Sequence, residues 1–212
     1  MQSYYAARAR EYDRIYDKPE RQADIQLLRE WLPSLFRGSR LLEVACGTGF
    51  WTQFIAPLAD KIVAIDSAPE TIAIAQSRVP RDKVSFVAGD AYDLPRDQGT
   101  FDAAFAGFWF SHVPRERQDE FLRGLSGAVA TGSTVVLVDN RYVEGSNHPI
   151  SERDANGNTF QLRTLQDGSV HRVLKNFPTE AELSSRIEKV GHSLQFRWFK
   201  YYWAVQYVVG HP

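Results

Sequence analysis

Leu41-Leu42-Glu43-Val44-Ala45-Cys46-Gly47-Thr48-Gly49-Phe50-Trp51-Thr52 reads as a short buried strand that runs into a glycine turn and then into a helix. Such a turn lets backbone N–H groups approach a small ligand closely. Two departures from the G-x-G-x-x-G dinucleotide fingerprint narrow the choice of ligand. The third glycine is replaced by Thr52, and an acid, Glu43, stands four residues before Gly47. A carboxylate beside the turn repels a pyrophosphate but suits a ligand that carries a cationic amine. A second strand, Lys61-Ile62-Val63-Ala64-Ile65, leads to Asp66, where an acidic side chain can accept both hydroxyls of a ribose.

Outward from this stretch the chain keeps a strand–helix rhythm. Residues 3 to 17 read as a helix, and a second spans Glu20 to Leu32 with Ile25, Leu28 and Leu32 on one face. Pro33 and Gly38 break the chain before the first strand. Ser67, Pro69 and Glu70 read as a capping box that opens the helix after Asp66. A further helix starts at Pro114 and presents Phe121, Leu125 and Val129 along one side. Strands near 41, 62, 85, 103 and 135 thus alternate with helices, which predicts a parallel α/β sheet covered on both faces. Beyond residue 140 the rhythm changes. Thr159–Arg163 and Val170–Leu174 flank the turn Gln166-Asp167-Gly168 and predict a hairpin. Thr179 with Glu182 is another capping box, starting a helix that ends near Gly191, and Leu194–Val205 is strongly strand-forming.

Two further landmarks follow in order. Val84-Ser85-Phe86-Val87-Ala88-Gly89-Asp90-Ala91 reads as a third strand ending in an Asp-Ala pair, and Phe101-Asp102-Ala103-Ala104-Phe105-Ala106 as a fourth strand. Together with Glu43-x-x-x-Gly47-x-Gly49 and Asp66, this set resembles the class I S-adenosylmethionine-dependent methyltransferases over roughly residues 38 to 140. The resemblance implies a Rossmann-like fold: a mostly parallel seven-stranded sheet with helices on both faces, closed by an antiparallel strand pair. It implies one domain, divided into an N-terminal helical lid (1–36), a cofactor-binding core (37–140), an insertion with a hairpin (141–178) and a C-terminal helix with closing strands (179–212).

S-adenosyl-L-methionine is then the expected cofactor. Glu43 would meet its ammonium group, Asp66 its ribose hydroxyls, and Asp90 with Ala91 its adenine; Ala45, Gly47, Gly49, Trp51, Thr52, Ser67 and Phe108 are the other expected cofactor-binding residues. Asp66 could instead cap the helix that follows. His112 lies just past the fourth strand in Phe108-Trp109-Phe110-Ser111-His112, where an imidazole can take a proton from an acceptor or hydrogen-bond the backbone at the helix start. Tyr5, Tyr12, Tyr16, Trp109 and Arg141 are the candidate substrate-binding residues, the tyrosines as part of a lid and Arg141 as a fork for an anionic group. Their alternatives are packing for the tyrosines and a surface ion pair for Arg141. An acceptor with a flat or apolar portion is expected under the aromatic side chains.

Bulk properties limit the other classes. The chain has 212 residues, 43% apolar and 24% charged, enough for one domain with a sizeable core. A formal net charge of -1 gives no basic field for nucleic acid, and no apolar run reaches the length of a membrane span. The N-terminus lacks the apolar core of a secretory signal, and the single Cys46 fits a cytoplasmic protein. The expected partner is a small-molecule acceptor, with no nucleic acid and no membrane, in a monomer or a homodimer paired through the aromatic tail. The histidines show no metal-ligand spacing, so no metal is expected. The rivals are methylation of a peptide or protein carboxylate or amine, a cofactor-binding protein without turnover, and an NAD-linked dehydrogenase. Thr52 argues against the last.

Overall fold

The computed structural model describes residues 9–80, 82–94 and 101–210, with the backbone alone over 9–12. Strands β1 (Arg40–Val44), β2 (Lys61–Asp66), β3 (Val84–Ala88), β4 (Phe101–Gly107) and β5 (Val129–Asn140) pair in parallel. β10 (Tyr202–Val209) joins β5 antiparallel and carries β9 (Gly191–Trp198) on its outer side. The order is β3-β2-β1-β4-β5-β10-β9, a seven-stranded sheet. Helices α1 (Gln22–Trp31), α2 (Thr52–Ile55), α3 (Pro69–Arg78), α4 (Gln118–Gly127) and α5 (Glu180–Ile187) connect and cover the strands.

Alternation of side chains sorts the sheet into two cores. Leu41, Ile62, Ala103, Val136 and Ala204 face one way with Ile25, Leu28 and Phe36; Leu42, Val63, Ala104, Val135 and Tyr207 face the other with Phe121, Leu125 and Leu183. β1, β2, β4, the second half of β5 and most of β10 are buried on both faces, which is why the sequence shows continuous runs there, whereas the edge strands β3 and β9 are partly exposed. Strand order reverses between β1 and β4, and the crevice at their carboxyl ends is where such sheets bind ligands.

β6 (Glu152–Arg153), β7 (Thr159–Thr164) and β8 (Val170–Leu174) form a separate three-stranded antiparallel sheet that contains the expected hairpin. The backbone of this insertion is fastened to the segment after β4. Asn176 N–H donates to Ser111 O (2.7 Å), Asn176 Nδ2 to Val113 O (3.1 Å), and Arg115 N–H to Asn158 Oδ1 (2.7 Å).

Several expected boundaries shift for local reasons. The first helix is a 3-10 segment over Ala9–Tyr16, and residues 3–8 of the expected span lie outside the described residues. The second is α-helical only over Gln22–Trp31, with 3-10 turns at Pro19–Arg21 and Leu32–Phe36. Ser67 and Glu70 do not form a capping box. Ala68 occupies the cap position, one residue later, and Asp66 Oδ1 reaches its N–H at 2.9 Å. Val129 opens β5 rather than extending α4, which stops at Gly127. The capping box of Thr179 and Glu182 is present, but its helix ends at Ile187, and Gly191 begins β9. The aromatic tail divides into β9 and β10 around a turn at 199–201.

Candidate active site

Glu43 lies within the buried run of β1, one residue before its end, at 2% exposure, and its Oε2 has no hydrogen-bond partner. Burial pushes its carboxyl up to about 8; the nearby Thr52 hydroxyl offsets part of this and Asp66 adds to it. A buried carboxylate with an unsatisfied oxygen is costly in isolation and is a receptor for a cation. The chain then turns sharply through Ala45 (φ 56°), Gly47 (φ 55°) and Gly49 (φ 72°). A side chain at Gly49 would stand 3.0 Å from the Ala75 methyl of α3, so the glycine also lets the turn lie against that helix.

Asp66 organises the turn from β2. Its Oδ2 accepts from Gly47 N–H at 2.8 Å, while Oδ1 accepts from Ala68 N–H and from the Thr71 hydroxyl (3.0 Å). A carboxylate offers about four lone-pair sites, so one acceptor position on Oδ2 remains. Asp66 is therefore a cap and a turn anchor, with capacity for one further donor. Ser67 is exposed beside it. Asp90 is exposed after β3, with Oδ1 accepting from Tyr92 N–H at 3.0 Å, and Ala91 is buried next to it.

Tyr16 packs over this turn. Its ring stacks on Phe50 with centroids 3.7 Å apart, and Trp51 Nε1 donates to its hydroxyl at 3.2 Å. Trp51 in turn stacks on Phe108 at 5.8 Å. Tyr16, Trp51, Glu43, Ala45 and Gly47 line one small cavity between β1 and β4. The N-terminal segment is tied down by Asp13, which accepts from the Thr48 hydroxyl (2.5 Å) and pairs with Arg78. Tyr5 and the Tyr12 side chain lie outside the described residues.

Gly107 lines this small cavity, and the next residue, Phe108, lines a larger one of about 150 Å³. The Phe108 backbone is left-handed (φ 60°), a conformation that costs a non-glycine residue about 1–2 kcal/mol. The Asp139 side chain holds the loop in that shape. Asp139 is fully buried and accepts from Ser111 N–H (2.8 Å), the Ser111 hydroxyl (2.9 Å) and Lys175 Nζ (2.9 Å). Burial alone would raise its carboxyl, but Lys175, His112 and the N–H groups of Ser111 and Asn140 hold it below the usual range. Lys175 is 3% exposed, and burial pushes its ammonium down to about 8 against the pull of Asp139.

His112 lies in the wall of the larger cavity. Its Nδ1 is 2.6 Å from the Leu174 carbonyl, which fixes Nδ1 as the donor and leaves Nε2 as the basic nitrogen. Burial, followed by the charges of Lys175 and Arg163, holds the imidazole well below its ordinary value, so it is neutral at neutral pH. Around it stand Arg14, Lys18, Arg21, Arg163 and Lys175. None of these five was singled out in the sequence, although Arg14, Lys18 and Arg21 recur at spacings of four and three.

Two candidates fall elsewhere. Arg141 donates to the Phe199 carbonyl at 2.6 Å and lies over the Trp198 ring, away from the cavity. Trp109 packs into the second core with its Nε1 buried and unpartnered. The larger cavity is polar and cationic rather than aromatic, because Tyr16 turns toward Phe50 and Trp51. Among the described residues no cluster of His, Cys, Asp or Glu has metal-binding geometry, and no helix is long and apolar enough to cross a membrane.

Known proteins share these features. Residues 41–132 match the family model described as a methyltransferase domain. The chain is 37% identical over 91 residues to a demethylmenaquinone methyltransferase of Clavibacter sepedonicus (42% of this chain, 37% of that one). It is 35% identical over 86 residues to a magnesium-protoporphyrin O-methyltransferase of Rhodobacter capsulatus (39% and 38%). It spans less than half the length of both curated relatives. The structure of the DhpI–SAH complex superposes with a TM-score of 0.81 at 32% identity, covering 100% of this chain and 96% of that one.

Proposed function

Because the chain belongs to the class I S-adenosylmethionine-dependent methyltransferase family, we propose that it transfers the sulfonium methyl group to an oxygen or nitrogen of a small molecule. The observation that carries this reading is the unsatisfied, buried Glu43 oxygen in a small cavity at the glycine turn, next to a second, larger cavity whose lining begins at Phe108, one residue after Gly107 of the first. The relatives named for small acceptors, demethylmenaquinone and magnesium-protoporphyrin, support a small-molecule acceptor.

The residues present fit the cofactor. Glu43 would hold its ammonium, with the Thr52 hydroxyl beside it; Asp66 and Ser67 would take the ribose hydroxyls, and Asp90 with the Ala91 N–H the adenine. Gly47, Gly49 and Ala45 give the backbone approach, and Trp51 and Phe108 form apolar walls. When bound, S-adenosylmethionine supplies an electrophilic methyl that is displaced in line. The chain's contribution is alignment in a water-poor site, the larger part of such an acceleration. Phe108 would stand where donor and acceptor meet. Tyr16 would cover the donor side. His112 presents Nε2 at the acceptor side, where it accepts a hydrogen bond or a proton from an acceptor hydroxyl.

Calorimetry tests the cofactor half directly. S-adenosylmethionine and S-adenosylhomocysteine should bind at micromolar affinity, and nicotinamide dinucleotides should not. Tighter binding of NAD than of S-adenosylhomocysteine would refute the reading.

A further inference from the structure

The larger cavity carries a charge pattern that methyl transfer in general does not require. Among the described residues, five cationic side chains line it and no carboxylate does. They come from three separate parts of the chain: Arg14, Lys18 and Arg21 before β1, Arg163 on β7, and Lys175 just after β8. Two acids bonded to its lining residues are already engaged. Asp139 lies behind Lys175, and Glu20 accepts from the Ser146 hydroxyl at 2.8 Å.

Some of these cations are rigidly placed, and others hold unused donors. Arg21 is buried and donates to Ser146 Oγ (2.9 Å), Ser146 O (3.0 Å) and Asn140 Oδ1 (3.0 Å). Lys18 also reaches the Ser146 carbonyl. An ammonium has three N–H groups, and Lys175 commits two, to Asp139 and Ser111. The Arg163 Nε–H is buried with no partner, while its Nη2 donates to Gln161 at 2.9 Å. A buried donor left unsatisfied is destabilising. A ligand anion recovers that cost and relieves the mutual repulsion of the cations.

We propose that this cavity is an acid-binding acceptor site, and that the methyl group goes to an anionic oxygen of a small carboxylic or phosphorus oxyacid. This rests on the methyl-transfer reading above. A cavity of this size holds a molecule of roughly benzene size, so the acid is small. A lone pair of the oxyanion attacks the methyl carbon and forms the C–O bond as the C–S bond breaks, with that electron pair returning to sulfur. No proton moves. The ester formed carries one negative charge fewer than the acid, so the cations that capture the acid hold the product more weakly.

The test uses the full chain, first without cofactor. Succinate and ethyl phosphate serve as acid probes, with neutral succinamide and cationic putrescine as controls, all read by calorimetry. The acids should bind and the controls should not. Arg163→Gln, and Arg14→Gln as a second variant on the exposed N-terminal segment, should each weaken acid binding by about tenfold and leave S-adenosylhomocysteine affinity unchanged. With S-adenosylmethionine added, mass spectrometry should find an O-methyl ester, and the acid on which it appears separates a carboxylate from a phosphorus oxyacid. Controls that bind as well as the acids, or acid affinity unchanged in both variants, would overturn the acid site. A parent that binds acids but not S-adenosylhomocysteine would instead overturn the methyl-transfer reading and leave the acid site standing.

Discussion

Glu43 is a buried acid at the glycine turn whose burial is only partly offset. Its folded pKa of about 8 lies above the ordinary value of 4.5, so the native chain holds a proton there that the unfolded chain has already lost. The stability this contributes is complete below the unfolded value and disappears as pH rises toward 8. Glu43→Gln has no such titration, and its melting temperature should exceed the parent's by several degrees near pH 8, at ~2–4 °C per kcal/mol for a chain of this size. A cationic ligand favours the ionised form, so the parent's affinity for S-adenosylhomocysteine should rise with pH up to about 8. The glutamine variant should bind it about 1.5–3 kcal/mol more weakly, the worth of a charged hydrogen bond. Matching melting curves from pH 5 to 9 would show that Glu43 is not the buried acid described. His112 poses the complementary question. An acid acceptor arrives deprotonated, and a neutral, depressed imidazole then has no proton to remove. His112→Ala should therefore lower kcat by about tenfold at most and keep the parent's pH profile. A loss of ~10²–10⁴ together with a vanished acid limb would assign proton abstraction to His112 and count against an acid acceptor.

At the scale of elements, the β6–β8 insertion is held to the loop after β4 by asparagines. Asn176 is fully buried, accepts from Thr159 N–H (2.9 Å), and donates to Val113 O and Asn158 Oδ1 (3.0 Å). Asn176→Ala leaves several of these groups unsatisfied and should cost about 2–4 kcal/mol of stability in thermal or urea unfolding. Because the same junction places Lys175 and His112, the acceptor KM should rise while S-adenosylhomocysteine affinity holds. Equal losses at both ligands would indicate general loosening rather than a local latch. Little of this junction is legible in the sequence. The parallel strands announce themselves as runs apolar on both faces, and Glu43, Gly47 and Asp66 sit at strand ends where local reading reaches. A cap shifted by one residue, from Ser67 to Ala68, is decided by backbone angles that composition does not reveal. The cationic cavity is assembled from residues 14–21, 163 and 175, whose proximity exists only after the insertion docks. The spacing of Arg14, Lys18 and Arg21 was the one local signal for it. Arg141, chosen for its place at the end of β5, spends its charge on the Phe199 carbonyl.

The whole chain is nearly neutral at -1, so the cations of the acceptor cavity are a local concentration of charge rather than a global field. Attraction should then act at short range and be only partly screened by salt, since buried pairs are shielded less than exposed ones. Raising ionic strength from about 0.05 to 0.5 M should weaken acid binding only modestly, through exposed Arg14, whereas pH should act more sharply. Lys175 has its ammonium pushed down to about 8 by burial, with Arg163 and Arg21 depressing it further and Asp139 opposing them. His112, also facing this group, is already neutral in that range. Below pH 8 the ammonium is charged and acid affinity should be constant. Above it the free protein loses the proton, and affinity should fall by up to tenfold per pH unit. A bound anion raises the ammonium's pKa by linkage, so the decline should level off once pH passes the pKa of the complex. Lys175→Gln with Asp139→Asn removes the buried pair together and avoids stranding a lone carboxylate, which would be strongly destabilising. That double variant should bind the acid more weakly at neutral pH and show no break near pH 8. A parent whose acid affinity stays flat from pH 7 to 10 would mean that Lys175 does not touch the acceptor, and that Arg163 and Arg14 hold it alone.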